Sequence, residues 1–170
     1  MRIIMETERV YFVAVDEEYV EFYIENMNNP EIYRHLADNP RTYTREEEIE
    51  WIRENVEANQ FTIIDKNTGE LIGNAGYHEI VGDTGEIGIW ITPAHQNNHY
   101  GREIIMKLVE YGYDVLKVRH VTLKVHDNNE RAKHVYEKVG FQRTGTEEII
   151  TDGIGNPTKN ITMEYIKERR

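Results

Sequence analysis

Apolar residues alternate with a period of two in some parts of the chain and recur every three or four residues in others, which predicts a mixed α/β protein. Strand patterns occupy 9–15, 61–65, 71–78, 85–92, 120–126, 141–150 and 158–166. Helical patterns occupy about 16–26, 100–117 and 129–139. Strands that alternate with helices in the second half of the chain favour one central sheet covered by helices.

A further helix is predicted after residue 44. Thr44 is followed three residues later by Glu47, which is a capping box, and Ile49, Ile52 and Val56 then recur at helical spacing. Acidic residues in the first turn also favour the positive end of the helix dipole. That electrostatic effect accounts for the acidic first turn without any functional role.

The composition indicates a single globular domain over residues 1–170. The chain has 170 residues, of which 39% are hydrophobic and 30% charged, and it has no cysteine. The lack of cysteine excludes disulfides and a thiolate nucleophile. No apolar run is long enough for a signal peptide or a membrane span, so we expect a soluble cytoplasmic protein without a membrane partner. A homodimer is the ordinary expectation for its assembly, and a larger homo-oligomer is the alternative.

Negative charge is concentrated near the N-terminus. The net charge is −11, and residues 1–57 hold 15 acidic and 6 basic side chains. Such a surface repels phosphate backbones, which argues against a nucleic-acid partner. It would attract a cationic ligand, although solvated helix faces explain the same residues.

A polar loop joins the strand at 85–92 to the following helix. A strand that turns into a helix directs unpaired backbone N–H groups at the turn, where they can hold a phosphate. The loop consists almost entirely of residues that tolerate positive φ: Gln96, Asn97, Asn98, His99, Tyr100 and Gly101. An anion cradle and an ordinary polar loop are both consistent with this composition. No Walker loop or GxGxxG motif supports a nucleotide-binding fold.

Two motifs resemble those of the GNAT superfamily of N-acetyltransferases. The segment NNERAKHVYEKVGF at 128–141 is similar to the helix that lies beside the acyl-CoA in that superfamily. The pattern Gln96-x-x-His99-x-Gly101 resembles its pyrophosphate motif, although His99 replaces a glycine and Arg102 a small hydroxyl residue. The order of elements also matches, most closely in the branch of ribosomal-protein N-terminal and spermidine acetyltransferases. The resemblance implies a single-domain α/β GNAT fold with a mixed central sheet flanked by helices.

The resemblance also implies which residues hold acetyl-CoA. The backbone of Ile89, Trp90 and Ile91 would bind the pantetheine arm, and Asn129 would contact it. Arg131 and Lys138 would lie near the phosphates or the pocket wall. The pyrophosphate would be held by backbone N–H groups of Gln96, Asn97, Asn98, His99, Tyr100, Gly101 and Arg102.

Acyl transfer to an amine requires a base, a polarised carbonyl and an acid for the leaving thiol. By resemblance Tyr136 would lie beside the sulfur, and a phenol can donate the proton that the thiolate needs. The candidate bases are Glu79 and Glu86. Strand alternation places Glu86 opposite Ile87 and therefore on the acceptor side, which favours it as the base and leaves Glu79 as a contact for the substrate cation. An exposed strand-end carboxylate is the alternative for either residue. The absence of cysteine favours direct transfer. His95 and His99 are four residues apart in a loop without a nearby carboxylate, so no metal is expected.

The acidic first third of the chain suggests a cationic amine acceptor. A polyamine such as spermidine or spermine fits that charge, and a protein or peptide N-terminus is the alternative. Antibiotic or amino-acid amines come third. A non-catalytic acyl-CoA or polyamine-binding module, which His99 favours, is a further hypothesis. The candidate contacts for the cation are Glu17, Glu21, Glu25, Asp38 and Glu79.

Overall fold

The computed structural model describes residues 1–166. Its strands are β1 Ile3–Glu6, β2 Val10–Ala14, β3 Gln60–Asp65, β4 Leu71–Val81, β5 Thr84–Ile91, β6 His120–His126, β7 Phe141–Thr151 and β8 Pro157–Tyr165. Its helices are α1 Val20–Met27, α2 Pro30–Tyr33, α3 Arg45–Asn55, α4 Tyr100–Tyr111 and α5 Glu130–Val139. Short 3-10 turns occupy Glu17–Tyr19 and Pro93–His95.

The strands form one mixed sheet in the order β1-β2-β3-β4-β5-β6-β8-β7. Neighbouring strands are antiparallel except β5 and β6, which are parallel. The parallel pairing runs from Thr84 opposite His120 to Ile87 opposite Leu123 and ends there. Beyond this point β5 and β6 diverge, which leaves a gap in the middle of the sheet.

Each face of the sheet is covered by different helices. Ile87 of β5 packs in the larger core with Ile104 and Leu108 of α4. Trp90 points to the other face and packs in a smaller cluster with Tyr23 of α1 and Ile52 of α3. This alternation along β5 follows from the period of two of a strand. The gap between β5 and β6 is therefore bordered by α4 and α5 on one face and by α1 to α3 on the other.

The predicted fold class and all predicted strands are confirmed, and three elements differ from the sequence interpretation. Neither β1 nor the one-turn helix α2 was predicted. The helix expected over 100–117 ends in α form at Tyr111 and continues as a π-helical turn over Gly112–Leu116. The hydroxyl of Tyr77 donates to the carbonyl of Leu108 at 2.6 Å, and a Cβ at residue 112 would lie 2.0 Å from that hydroxyl. The widened turn thus accommodates a buried phenol that joins α4 to β4.

The capping box predicted at Thr44 is present. The Thr44 hydroxyl accepts from the backbone N–H of Glu47 at 3.2 Å, and the Glu47 carboxylate accepts from the backbone N–H of Thr44 at 3.2 Å. Arg41 also donates to the Glu47 carboxylate at 2.9 Å. These bonds anchor the start of α3. Within residues 1–166, no helix has both the length and the apolar character needed to cross a bilayer.

Replacing Thr44 with alanine is expected to lower the free energy of unfolding by about 1 kcal/mol, because the N-cap bond is lost. Denaturant unfolding monitored by circular dichroism measures this change. Thr42→Ala is the matched control, since Thr42 is exposed two residues earlier and caps no helix. Equal destabilisation by both variants would contradict the assignment of the cap.

Candidate active site

A cavity of about 920 Å³ lies where β5 and β6 diverge. Its walls come from both faces of the sheet: α2 and α3 with the loop between them on one side, and α4 and α5 on the other. A volume of this size is typical of sites that hold a small molecule or cofactor. The divergence of two strands thus creates a gap in the sheet that can receive an extended ligand.

The free edge of β5 offers backbone hydrogen bonds to the cavity. The Trp90 carbonyl lies against Gly73 of β4, and the Thr92 N–H donates to the Ile72 carbonyl of that strand. Because peptide groups alternate along a strand, the groups of Ile89 and Ile91 face the gap. The expectation that Trp90 also offers its backbone is therefore wrong; its indole lines the cavity instead.

The loop before α4 has the backbone conformation of an anion cradle. Asn97 and His99 have positive φ, at 65° and 64°, while Asn98 between them does not. Such an alternation turns successive N–H groups toward one point. Among residues 1–166 no side chain caps α4, so the N–H groups of its first turn remain available. The prediction that this loop adopts positive φ is confirmed, and His99 takes the left-handed conformation itself.

Contacts on the side of the loop that faces away from the cavity hold it in place. Arg9, which directly precedes β2, donates to the Asn98 carbonyl at 3.0 Å, pairs with Glu103 at 2.8 Å and stacks on the Tyr100 ring. The Tyr100 hydroxyl donates to Asp65. Asn98 does not line the cavity, contrary to the expectation, because its carbonyl is turned to Arg9. The cradle is therefore preorganised before any ligand binds.

The side chain of Gln96 anchors the start of this loop. Its amide donates to the Ile91 carbonyl at 3.0 Å, which joins the loop to the end of β5. His95 is similarly engaged, with Nδ1 2.6 Å from the Thr92 hydroxyl and Nε2 2.7 Å from Glu70. Of the backbone groups that face the gap, the Ile91 carbonyl is thus already paired, while the Ile89 peptide remains available.

Helix α5 presents a polar and basic edge to the cavity. The Asn129 side-chain oxygen caps α5 by accepting from Ala132 N–H at 3.3 Å, and its amide nitrogen has no partner within residues 1–166. Arg131 and Lys138 line the same wall, together with Arg102 of α4, and none of the three pairs with a carboxylate among the described residues. Unpaired cations beside an uncapped helix start fit the phosphates of a coenzyme A. Acetyl-CoA therefore fits the residues that the structure provides.

Tyr136 lies on the inner face of α5 and lines the cavity. Burial raises the pKa of its phenol to about 12, so it is protonated at neutral pH. Its ring packs 6.2 Å from that of Phe141, and its hydroxyl has no hydrogen-bond partner within the described part of the chain. A protonated, unpaired phenol can act as a proton donor.

Glu86 lies on the acceptor side, as strand alternation predicts. It lines the cavity while Ile87 is buried in the core on the opposite face. Lys124 of β6 pairs with its carboxylate at 3.7 Å. His78 of β4 lies close by, and its ring covers Gly88 so tightly that a Cβ there would be 1.7 Å from Nε2.

Glu48 is a buried carboxyl in the acceptor wall. Glu48 is 5% exposed. Burial and, to a lesser extent, the negative charge of Glu47 raise the pKa of its carboxyl from 4.5 to about 7. The charge is close enough to act on the phenols of Tyr23 and Tyr43. Together with the indoles of Trp51 and Trp90 these rings form the aromatic wall of the cavity.

The structure brings only one of the proposed cation contacts to the cavity. Asp38 lines it and lies 3.4 Å from His126 Nε2. The other four residues are exposed outside the cavity, which corrects the expectation: Glu17, Glu21, Glu25 and Glu79. The first three lie on the face of the N-terminal helical segment opposite buried Val20 and Tyr23, and Glu17 and Glu21 pair with Arg53 and Arg45 of α3.

Two residues of the site, Glu48 and His78, were not predicted from the sequence. Helix periodicity held the signal for Glu48, because it lies four residues before buried Ile52 and therefore on the inner face of α3. His78 follows buried Tyr77 and must point to the opposite face, toward the acceptor. A β-bulge then separates it from the next pair, since Tyr77 lies opposite Ile87 but Glu79 opposite Glu86.

Comparison with known proteins identifies a family and several relatives. The model of the acetyltransferase (GNAT) domain family matches residues 9–142. A spermidine N(1)-acetyltransferase of Vibrio cholerae is 30% identical over 77% of this chain and 79% of its own. A putative ribosomal N-acetyltransferase of Bacillus subtilis is 25% identical over 76% of this chain and 73% of its own. An N-acetyltransferase of Bacillus subtilis, YoaA, is 31% identical, but the alignment spans 61% of this chain and 60% of that protein.

Solved structures show the same fold. The crystal structure of a spermidine N-acetyltransferase from Vibrio cholerae, in complex with CoA and spermine, superposes with a TM-score of 0.81. The superposition covers 94% of this chain and 96% of the other, at 23% sequence identity.

Glu48→Gln is expected to stabilise the protein at alkaline pH. The folded protein holds this proton up to about pH 7, whereas an unfolded chain releases it near 4.5, so ionisation lowers the stability as pH rises through this range. Above pH 8 the variant should gain about 1–3 kcal/mol over wild type, and near pH 4 it should gain little. Urea unfolding as a function of pH measures the difference.

Glu46→Gln is the control for this experiment, because Glu46 is exposed in the same first turn. It removes the same charge without relieving a buried carboxylate. If both variants changed the pH dependence of unfolding equally, Glu48 would not be a desolvated group.

Proposed function

The chain belongs to the acetyltransferase (GNAT) family, and from this premise we propose that it acetylates a primary amine of a polyamine such as spermidine or spermine. The family establishes an N-acetyltransferase, and its acetyl donor is acetyl-CoA. The identity of the acceptor is our proposal. The observation that carries it is Glu48, a buried carboxyl facing the cavity from a wall of aromatic rings.

A carboxyl among aromatic rings suits an alkylammonium ion. The ring faces attract the cation and pack on its methylene groups, while the carboxylate supplies a charge-assisted hydrogen bond. An ammonium beside Glu48 would also favour its ionised form and relieve the cost of its burial. Glu31 and Asp38 add negative charge at the same side of the cavity, whereas the carboxylate of Glu47 is paired with Arg41. A chain with several ammonium groups can meet more than one of these carboxylates.

Charge separates the cavity into two parts. The acidic side is built by α2, α3 and the loop between them, whereas Arg102, Arg131 and Lys138 are on the side of α4 and α5. Opposite fields at the two ends direct an anionic coenzyme and a cationic amine to different places. The reacting groups then meet at the start of the gap, near Gly88.

Glu86 and Tyr136 carry out the two proton transfers of the reaction. Acetyl-CoA supplies a thioester whose carbonyl carbon the amine attacks. Glu86 accepts the proton that the ammonium must lose, and Lys124 keeps that carboxylate paired until it does so. As the new C–N bond forms and the C–S bond breaks, Tyr136 donates its proton to the departing sulfur. The free peptide N–H of Ile89 faces the gap where it can polarise the carbonyl.

A protein or peptide N-terminus is the second candidate acceptor. The relative from Bacillus subtilis named as a putative ribosomal N-acetyltransferase supports it to a similar degree. The cavity is large enough for the first residues of an extended peptide. A peptide α-amine is less basic than a polyamine and needs less assistance from a buried carboxylate. The environment of Glu48 therefore favours the polyamine.

We expect acetyl-CoA to be consumed in a spermine-dependent manner. Release of the CoA thiol, read with a thiol reagent at low salt and mildly alkaline pH, measures this without background because the protein has no cysteine. A peptide with a free N-terminus serves as the second acceptor in a parallel reaction. Release with the peptide and none with spermine would overturn the polyamine assignment and retain the acetyltransferase.

Glu48→Gln should raise the KM for spermine by about tenfold or more, since a charge-assisted contact is worth roughly 1.5–3 kcal/mol. The KM for acetyl-CoA should be unchanged. Glu46→Gln, exposed in the same turn, is the control and should leave both constants as in wild type. An unchanged KM for spermine in Glu48→Gln would remove the support for this acceptor site.

Tyr136→Phe should reduce kcat by at least 100-fold while leaving the affinity for acetyl-CoA intact, because only the proton donor is removed. Steady-state kinetics and the rise in Tm on adding acetyl-CoA separate the two effects. Tyr165→Phe is a suitable control, since Tyr165 also contacts Phe141 but lies outside this cavity. Intact turnover in Tyr136→Phe would show that another group protonates the sulfur.

A further inference from the structure

His78 occupies the point where the gap in the sheet begins. The imidazole covers Gly88, the first residue of β5 after its pairing with β6 ends at Ile87. A Cβ at residue 88 would lie 1.7 Å from Nε2 and 2.6 Å from Cε1 of the ring, so only glycine leaves room for it there. The ring and the free peptide of Ile89 therefore lie at adjacent positions on the cavity wall.

The hydrogen bonds around His78 define its tautomer. The Gln60 side-chain nitrogen is 3.4 Å from Nδ1, and the same nitrogen donates to the Tyr77 carbonyl at 3.1 Å. The bond to a carbonyl identifies that Gln60 atom as the amide nitrogen, which can only donate. Nδ1 of His78 must therefore accept, and the ring proton of the neutral imidazole is on Nε2.

The environment also keeps the ring neutral. If Nδ1 were protonated, its N–H and the N–H of the Gln60 amide would be two donors facing each other without an acceptor. Neighbouring protein atoms partly desolvate the imidazole and lower its pKa although the residue is exposed to the cavity, and the nearby charge of Glu86 opposes this only in part. Lys124, which pairs with Glu86 at 3.7 Å, weakens that opposing charge further. At neutral pH the group facing the cavity is therefore an N–H donor.

Nε2 is an unused donor at the start of the gap, where the proposed function puts the thioester. Within residues 1–166 it has no hydrogen-bond partner, although the other ring nitrogen is engaged. A donor fixed in position and free of protein partners is suited to an oxygen atom that gains negative charge during the reaction. A second donor beside a backbone N–H would stabilise such an oxygen from two directions.

We infer that His78 acts in its neutral form as a hydrogen-bond donor from Nε2 to the thioester carbonyl oxygen, beside the peptide N–H of Ile89. The inference rests on the proposed function, in that the acetyl group lies at the start of the gap. It assigns His78 to stabilisation of the oxygen and leaves proton removal from the amine to Glu86. His78 then forms and breaks no covalent bond, and its proton stays on Nε2.

Two substitutions separate a donor from a base. In His78→Gln the amide nitrogen can reach the position of Nε2 and donate, but it cannot take up a proton at neutral pH. In His78→Leu the volume is similar and no donor remains. We expect His78→Leu to lose 100- to 1,000-fold in kcat, as is usual when one such donor is removed, and His78→Gln to stay within about tenfold of wild type.

The acceptor in this kinetic comparison is whichever of spermine and the peptide wild type acetylates. The KM for acetyl-CoA and the rise in Tm on adding CoA should be similar in both variants, which checks that they fold and bind. Equal losses of kcat in Gln and Leu variants would identify His78 as a base and overturn the inference. Normal turnover in both would overturn it as well.

A spectroscopic measurement tests the same inference without any amine. In ¹⁵N-labelled protein the Nε2–H signal of His78, identified by its absence in His78→Gln, should shift on adding acetyl-CoA and much less on adding CoA. An Nδ1–H tautomer, or equal shifts with both ligands, would contradict the donor role. Failure of the polyamine proposal would appear separately, as no spermine-dependent thiol release by wild type while this shift persists.

Discussion

The divergence of β5 from β6 is the constraint on which the rest of the structure depends. The two parallel strands pair through four residues each, up to Ile87 and Leu123, and then separate. A central strand that loses its neighbour leaves peptide groups without partners, and such groups are costly unless water or a ligand satisfies them. The Gln96 side chain satisfies the Ile91 carbonyl, and the Ile89 peptide is left for an extended ligand. The proposed cofactor site is thus a region of the sheet where one strand lacks its neighbour.

Preorganisation around that gap is supplied by residues that never face it. Arg9 contacts the Asn98 carbonyl, the Tyr100 ring and Glu103 at once, and Asp65 accepts from Tyr100. These contacts hold positive φ at His99, a conformation that costs about 1–2 kcal/mol for a residue with a side chain. This cost is met when the protein folds, so the N–H groups of the loop already converge before any anion binds. Replacement of the usual glycine by His99 is therefore compatible with an intact cradle.

Burial sets the protonation states on the acceptor side. It raises the pKa of the Glu48 carboxyl to about 7, and partial desolvation lowers that of the exposed His78 imidazole, so each group is less charged than it would be in water. Tyr136 is protonated for the same reason. A cavity lined by neutral donors and a half-ionised carboxyl can bind an ammonium ion and release the neutral amide that forms from it. The exposed carboxylates of Glu17 and Glu21 play no part in this, since they pair with Arg53 and Arg45 of α3.

Most elements and the motif residues, though not β1 or α2, were predictable from the sequence, because periodicity, caps and turn chemistry act over a few neighbouring positions. The alternation of Ile87, Ile89 and Ile91, the Thr44 capping box and the positive-φ loop before α4 were all readable in this way. Only the tertiary structure decided which carboxylates face the ligand. Glu21 and Glu48 are both acidic residues of amphipathic helices, but one is exposed beside Arg45 and the other is buried under aromatic rings. That difference, like the tautomer of His78 set by Gln60, depends on contacts between distant parts of the chain, which local pattern does not encode.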